Sequence, residues 1–140
     1  MINSVRHQTY SGWELCIANA SPENKQIKNL LNNYIENDSR IKVIDVPENE
    51  GISQNTNLVL QIATGDYVGL LDHDDLLAPN ALYEVVQSIN KDSIPDVIYT
   101  DEDKVSFNAK EHFQPNFKPD FNLDLLRSNN YICQFFFGEA

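Results

Sequence analysis

Two short acidic groups have the residue types and spacing to do chemistry: Asp72, Asp74 and Asp75 in one, Asp101, Glu102 and Asp103 in the other. Asp72 and Asp74 stand at i and i+2 where an apolar run gives out, so their carboxylates can point to one side and share a cation. Carboxylate oxygens are hard donors. Mg²⁺ or Mn²⁺ is the expected occupant, held by one or two carboxylates and completed by phosphate and water. Such an ion would offset the charge growing on a departing diphosphate. His73 between them reads as a bystander whose side chain projects to the opposite side. The competing reading of both groups is a solvated acidic surface.

The elements that must position these groups alternate between strand and helix. Trp13 to Ala18 reads as a strand entering a turn at Asn19-Ala20-Ser21. Ser21 is a good N-cap with Pro22 at the first helical position, and Ile27, Leu30, Leu31, Tyr34 and Ile35 recur at the spacing of one helix face. Ile41 to Val46 reads as a second strand, closed by Pro47 and a polar loop through Gly51. Ser53 can cap a second helix running to Ala63, with Gly65 placed to stop it. Tyr67 to Leu71 is an apolar run too short for a helix, as expected of a central parallel strand covered on both faces. After Pro79, the residues Leu82, Val85, Val86 and Ile89 mark a third helix, and Asp96 to Thr100 a fourth strand. Residues 101–130 read as mostly irregular with a short helix near Leu123 to Leu126, and Tyr131 to Phe137 as a last strand. Met1 to Tyr10 reads as the tail of a helix. The class is therefore α/β, with a mostly parallel sheet and flanking helices. In such sheets ligands bind beyond the carboxyl ends of the strands, which brings Asn19, Asp72 to Asp75 and Asp101 to Asp103 to one rim.

Composition narrows the function classes. The net charge of -11 is concentrated in the second half, where residues 66–140 hold fourteen acids against five bases. A nucleic-acid partner is excluded, because Lys25, Lys28, Arg40 and Lys42 are too scattered to form a basic stripe. Cys16 and Cys133 are the only cysteines. They make no disulfide framework or metal-type spacing, and Cys16 reads as a small buried thiol. No apolar run approaches the roughly 20 residues that span a bilayer, and no basic-then-apolar leader follows Met1. A cytoplasmic setting is the expectation.

The run Tyr67-Val68-Gly69-Leu70-Leu71-Asp72-His73-Asp74-Asp75, followed by Pro79 and Leu82, resembles the signature of glycosyltransferase family 2. Gln8-Thr9-Tyr10 ahead of Trp13-Glu14-Leu15, Asn49-Glu50-Gly51-Ile52-Ser53 with Asn57, and Ala63-Thr64-Gly65-Asp66-Tyr67 have the same look. Ile98 to Lys104, Phe117-Lys118-Pro119-Asp120-Phe121 and Ser128 to Ile132 are similar to a bacterial subgroup that builds surface polysaccharides. The resemblance implies a GT-A fold, a nucleotide-sugar donor, a saccharide or lipid-linked acceptor, and inverting transfer. It implies further that Asp72 lies near the donor's ribose, that Asp74 binds the diphosphate-bound metal with Asp72 beside it, and that Asp75 supports the cluster. Asn19 stands where the family usually has an Asp that contacts base or ribose, and Thr56 where many relatives carry Arg. Asn19 can also be read as a simple turn residue ahead of Ser21. For Asp101, Glu102 and Asp103 a solvated loop and a place beside the sugar or acceptor both stand.

Relatives of this kind begin with a strand and a base-cradling turn, and they place the catalytic Asp late in the domain. Residues 1–140 thus read as a single family 2-like domain lacking its first strand and its C-terminal base region. No catalytic residue is assigned within the chain. Peripheral membrane association would come through the missing regions. The alternative function is a non-catalytic remnant that binds nucleotide or divalent cation only.

Overall fold

The computed structural model describes residues 1–91, 95–132 and 136–139. In chain order the elements are α1 (Ile2–Arg6), β1 (Leu15–Asn19), α2 (Lys25–Asn37), β2 (Ile41–Asp45), α3 (Ile52–Leu60) and β3 (Tyr67–Gly69). They continue with α4 (Ala81–Ile89), β4 (Val97–Tyr99), β5 (Glu102–Val105), β6 (His112–Asn116), α5 (Leu123–Ser128) and β7 (Phe136–Glu139). The expected α/β alternation holds through β4. The buried apolar residues Val5, Leu31, Ile41, Val46, Val85, Tyr131 and Phe137 come from helices, strands and the segments between them.

Strand pairing departs from a mostly parallel sheet. β1 and β2 pair in parallel from Leu15↔Ile41 to Asn19↔Asp45. β3 and β4 both pair antiparallel with β7, which lies between them, so β3 and β4 run in the same direction. The expected central strand Tyr67 to Leu71 is shorter, and among the described strands it pairs with β7. Gly69 faces Phe137 so closely that an added Cβ would sit 2.8 Å from ring atoms of that buried side chain, which leaves no room for a larger residue. Residues 133–135 of the expected last strand, including Cys133, lie outside the described residues.

β1 and β2 form one described sheet, and β3, β7 and β4 another. Between β1 and β3, under α3, runs an open, largely apolar groove of about 330 Å³ lined by Leu15, Cys16, Val59, Tyr67 and Leu71 among others. Cys16 is half-buried there, and burial first, then the Glu14 charge, pushes its thiol pKa up.

Two helix starts differ from expectation for local reasons. α2 begins at Lys25, because the Asn24 side chain accepts hydrogen bonds from the backbone N–H groups of Gln26 and Ile27 at 3.0 and 3.3 Å. Ser21 instead closes a turn in which its carbonyl accepts from Asn24 N at 3.0 Å. α3 begins after Gly51, whose φ of 94° suits glycine, and ends at Leu60 rather than Ala63. The largest omission is the β5–β6 hairpin within the stretch read as irregular. Its β6 strand is exposed throughout and carries Pro115 and a positive-φ Gln114, so it lacks the apolar alternation that marks a half-buried strand.

Side chains tie these pieces together at both ends of the strands. Before β1, Glu14 accepts from Lys42 Nζ at 2.5 Å, from Thr64 N and Oγ1, and from Gly65 N at 3.1 Å. Burial alone would raise the Glu14 pKa, but the bonds from Lys42 and Thr64 outweigh it and hold the carboxyl at about 2. This cluster joins the starts of β1 and β3, so the two strands advance side by side toward one rim. Farther along, Gln8 fastens the end of α1 to the segment leaving that rim, donating to Ala78 O at 2.7 Å and accepting from Leu82 N at 2.9 Å.

Candidate functional site

The carboxyl ends of β1, β3 and β4 open on the rim where the sequence places its polar groups, the position at which α/β sheets bind ligands. After β3 the chain turns at once, closed by Asp75 N donating to Asp72 O at 3.2 Å. Asp72 and Asp74 are exposed on this turn and Asp75 is half-buried beneath them. Burial first, then the charges of Asp74, Asp72 and Glu102, raises the Asp75 pKa, with His73 opposing. Negative charge from both acidic groups therefore accumulates at one place. His73 is not directed away as strand alternation would require. Its Nδ1 lies 3.9 Å from Asp74 Oδ1, because the segment is a turn and the two-residue period does not apply.

The second acidic group is divided by secondary structure. Asp101 follows β4 and accepts from the backbone N–H of Lys118 at 2.8 Å. Glu102 and Asp103 were expected in a loop, but they open β5 and face different partners. Glu102 accepts from Asn116 Nδ2 at 3.0 Å and from Lys118 Nζ at 3.1 Å, whereas Asp103 meets His112 Nδ1 at 2.8 Å on the paired strand. Of the three, Glu102 is the one whose charge registers on Asp75.

Asn19 ends β1 and is buried, with both functions of its amide engaged inside the protein. Its Nδ2 donates to Asp45 Oδ1 at 2.8 Å and its Oδ1 accepts from Ser21 N at 3.2 Å. Asp45 also accepts from Lys28 Nζ at 3.1 Å; the Asn19 bond first and the lysine second lower its pKa. Asn19 thus fixes the ends of β1 and β2 against each other and shapes a small hollow of about 130 Å³ beside Lys28 and Asp45. Thr56 lies on α3 and lines the groove between β1 and β3.

Sequence reasoning missed two residues that organise the rim. Lys118 has a side chain only 2% exposed, yet it appeared in the sequence only as part of a motif run. The available signal was its place between Phe117 and Pro119, an apolar setting unusual for a lysine. Gln8 likewise appeared only in a motif run, because its partners across the fold lie 70 and 74 residues away.

Among the described residues no three His, Cys, Asp or Glu side chains gather as a metal-ligand set. Asp72 and Asp74 nevertheless have the donor chemistry of a hard cation, and the accumulated negative charge around Asp75 is what such a cation would relieve. By donor type, a divalent ion held by these two carboxylates would be completed by oxygens from outside the chain.

The family model of glycosyl transferase family 2 matches residues 1–138. An uncharacterized protein of Sinorhizobium fredii is 45% identical over 132 residues, which cover 94% of this chain and 14% of that protein. The O-antigen biosynthesis protein RfbC of Myxococcus xanthus is 34% identical over 133 residues, covering 94% of this chain and 10% of its own length. A chondroitin synthase of Pasteurella multocida is 30% identical over 99 residues, 71% of this chain and 10% of the synthase. The chain therefore spans about a tenth to a seventh of the length of these relatives. With strands and helices alternating toward one acidic rim and a family match over nearly every residue, the chain belongs to glycosyl transferase family 2 and has the GT-A fold.

Proposed function

We propose that this chain is the donor-binding part of an enzyme that transfers a sugar from a nucleotide-diphospho-sugar to a saccharide or lipid-linked acceptor in surface-polysaccharide synthesis, with inversion. The observation that carries the reading is the acidic turn after β3, where Asp72 and Asp74 are exposed above a half-buried Asp75 that feels both charges. Asp72 and Asp74 would hold Mg²⁺ or Mn²⁺, which when bound would stabilise the diphosphate leaving group. Asp75 supports the turn from beneath, and Asp101 holds the segment at Lys118 against the end of β4. Asn19, engaged with Asp45 and Ser21, contributes to the donor site by fixing the rim's shape. The relatives named for O-antigen biosynthesis and chondroitin synthesis support a polysaccharide product.

The same reading accounts for the groove between β1 and β3. Among the described residues each strand is paired on one side, and the space between their facing edges is largely apolar and open. A strand from outside residues 1–140 would complete a single sheet there, and the base that takes the acceptor's proton would also come from outside them. No described helix is long and apolar enough to cross a membrane. A cytoplasmic site of action, with peripheral membrane association through other parts of the polypeptide, accords with use of a nucleotide-sugar donor.

Calorimetric titration of UDP and GDP with and without Mn²⁺ tests the reading. Metal-dependent binding should be lost in Asp74→Asn and retained in Asp96→Asn, which lies at the opposite end of β4. Equal loss in two folded variants refutes the placement of the site. Sugar transfer should require a chain extended at both ends, and comparable transfer by residues 1–140 would place the base inside them.

A further inference from the structure

The Lys118 ammonium is almost completely buried at the rim, and lysine seldom occupies such a position without a charged partner. Its Nζ donates to Glu102 Oε2 at 3.1 Å and to Ile132 O at 2.7 Å. Asn116 Nδ2 engages the other Glu102 oxygen at 3.0 Å, so the carboxylate is held at both ends. The segment around the lysine is fastened as well: Asp101 accepts from Lys118 N, Tyr99 Oη donates to Pro119 O at 2.8 Å, and Asn122 N donates to Tyr131 Oη at 2.9 Å. Tyr99 and Tyr131 meet edge to face at 5.9 Å. Because β3 and β4 run in the same direction on either side of β7, the residues leaving their ends, Asp72 to Asp75 and Asp101 to Glu102, emerge on the same rim.

We infer that Lys118 is a positioning and charge-balancing residue for donor binding, whose buried ammonium neutralises Glu102 beside the acidic turn and so keeps Glu102 from competing for the cation or repelling the diphosphate. This rests on the proposed donor site. A diphosphate brings its own negative charge to a rim that already holds Asp72, Asp74 and Asp75. An uncompensated Glu102 would add another, attracting a bare cation more strongly and the nucleotide less strongly. The countercharge is already in place, because the buried Lys118 ammonium lies 3.1 Å from Glu102, whereas Lys104 donates to Gln114 and Lys28 is bound to Asp45.

The test measures two affinities, Mn²⁺ alone by electron paramagnetic resonance and UDP at saturating Mn²⁺ by calorimetry. One unit charge at partial burial, several ångströms away, changes each affinity by about fivefold. Lys118→Met should tighten Mn²⁺ and weaken UDP by about that factor. Glu102→Gln should do the reverse, and the charge-balanced double variant should return both toward the starting values. Lys118→Arg should preserve both. A purely structural lysine would instead weaken both ligands in Lys118→Met, with no recovery in the double variant, and that result overturns the inference. If Lys118→Met does not fold, Glu102→Gln decides alone: unchanged affinities, or a fall in both, overturn it. Absence of metal-dependent UDP binding in the unmodified chain would refute the donor-site reading itself and with it the ligand assigned to this pair. Opposite shifts in Mn²⁺ affinity alone would still support charge balancing.

Discussion

Gln8→Ala should be among the costliest single changes outside the apolar core, because one side chain joins three segments. Its amide nitrogen donates to Ala78 O at 2.7 Å and to Ser4 O at 3.1 Å, and its oxygen accepts from Leu82 N at 2.9 Å. Leu82 is the second residue of α4, and the N-cap residue of that helix, Asn80, makes no side-chain cap bond. Gln8 therefore caps α4 from across the fold. Loss of a cap costs about 1 kcal/mol, and loss of a buried bond to a carbonyl about another 1, with a further penalty for groups left without water. The residue is 8% exposed, so water cannot readily replace the amide, and the total should be about 2–4 kcal/mol. For a chain of this size that corresponds to a fall of roughly 6–15 °C in Tm. Urea denaturation followed by far-ultraviolet circular dichroism measures the stability, and hydrogen exchange at the Leu82 amide locates the loss. Gln8→Glu separates the contributions: its carboxylate still accepts from Leu82 and sits well at a helix N-terminus, but it cannot donate to Ala78 O. About half the loss is expected there at neutral pH. A Gln8→Ala change below about 0.5 kcal/mol, with Leu82 exchange unaltered, refutes the capping argument.

Two further outcomes follow from charged groups at opposite ends of the first strand. Glu14 has a folded pKa of about 2 against an ordinary 4.5, so the unfolded chain holds its proton more tightly. Its stabilisation is complete above pH 4.5 and disappears as pH falls through about 2. Urea midpoints measured across that window should fall less steeply in Glu14→Gln than in the unmodified chain, and parallel profiles would count against the cluster. Asn19→Asp replaces a donor with a carboxylate facing Asp45 at 2.8 Å, while Lys28 can compensate only one of them. Its urea midpoint should drop at pH 7 and recover below about pH 5, where the pair takes up a proton. An unchanged or higher midpoint at pH 7 would show that the two strand ends separate at little cost.

Local pattern made much of the molecule legible. The apolar runs Trp13 to Ala18, Ile41 to Val46 and Tyr67 to Leu71, the helical spacing of Leu82, Val85, Val86 and Ile89, and the carboxylates beyond Leu71 all depend on near neighbours. These are enough to specify an α/β chain with an acidic rim at its strand ends. The tertiary structure decided what no local window contains. It inserts β7 antiparallel between β3 and β4, it puts Gln8 on Leu82, and it sets Asp101 and Glu102 on Lys118 but Asp103 on His112. It also buries Lys118, whose partner Glu102 lies 16 residues back along the chain. The physical reason is that periodicity reports which face of an element is apolar, whereas a buried polar group is satisfied by whichever partner the fold brings within about 3 Å. That partner is set by the path of the whole chain.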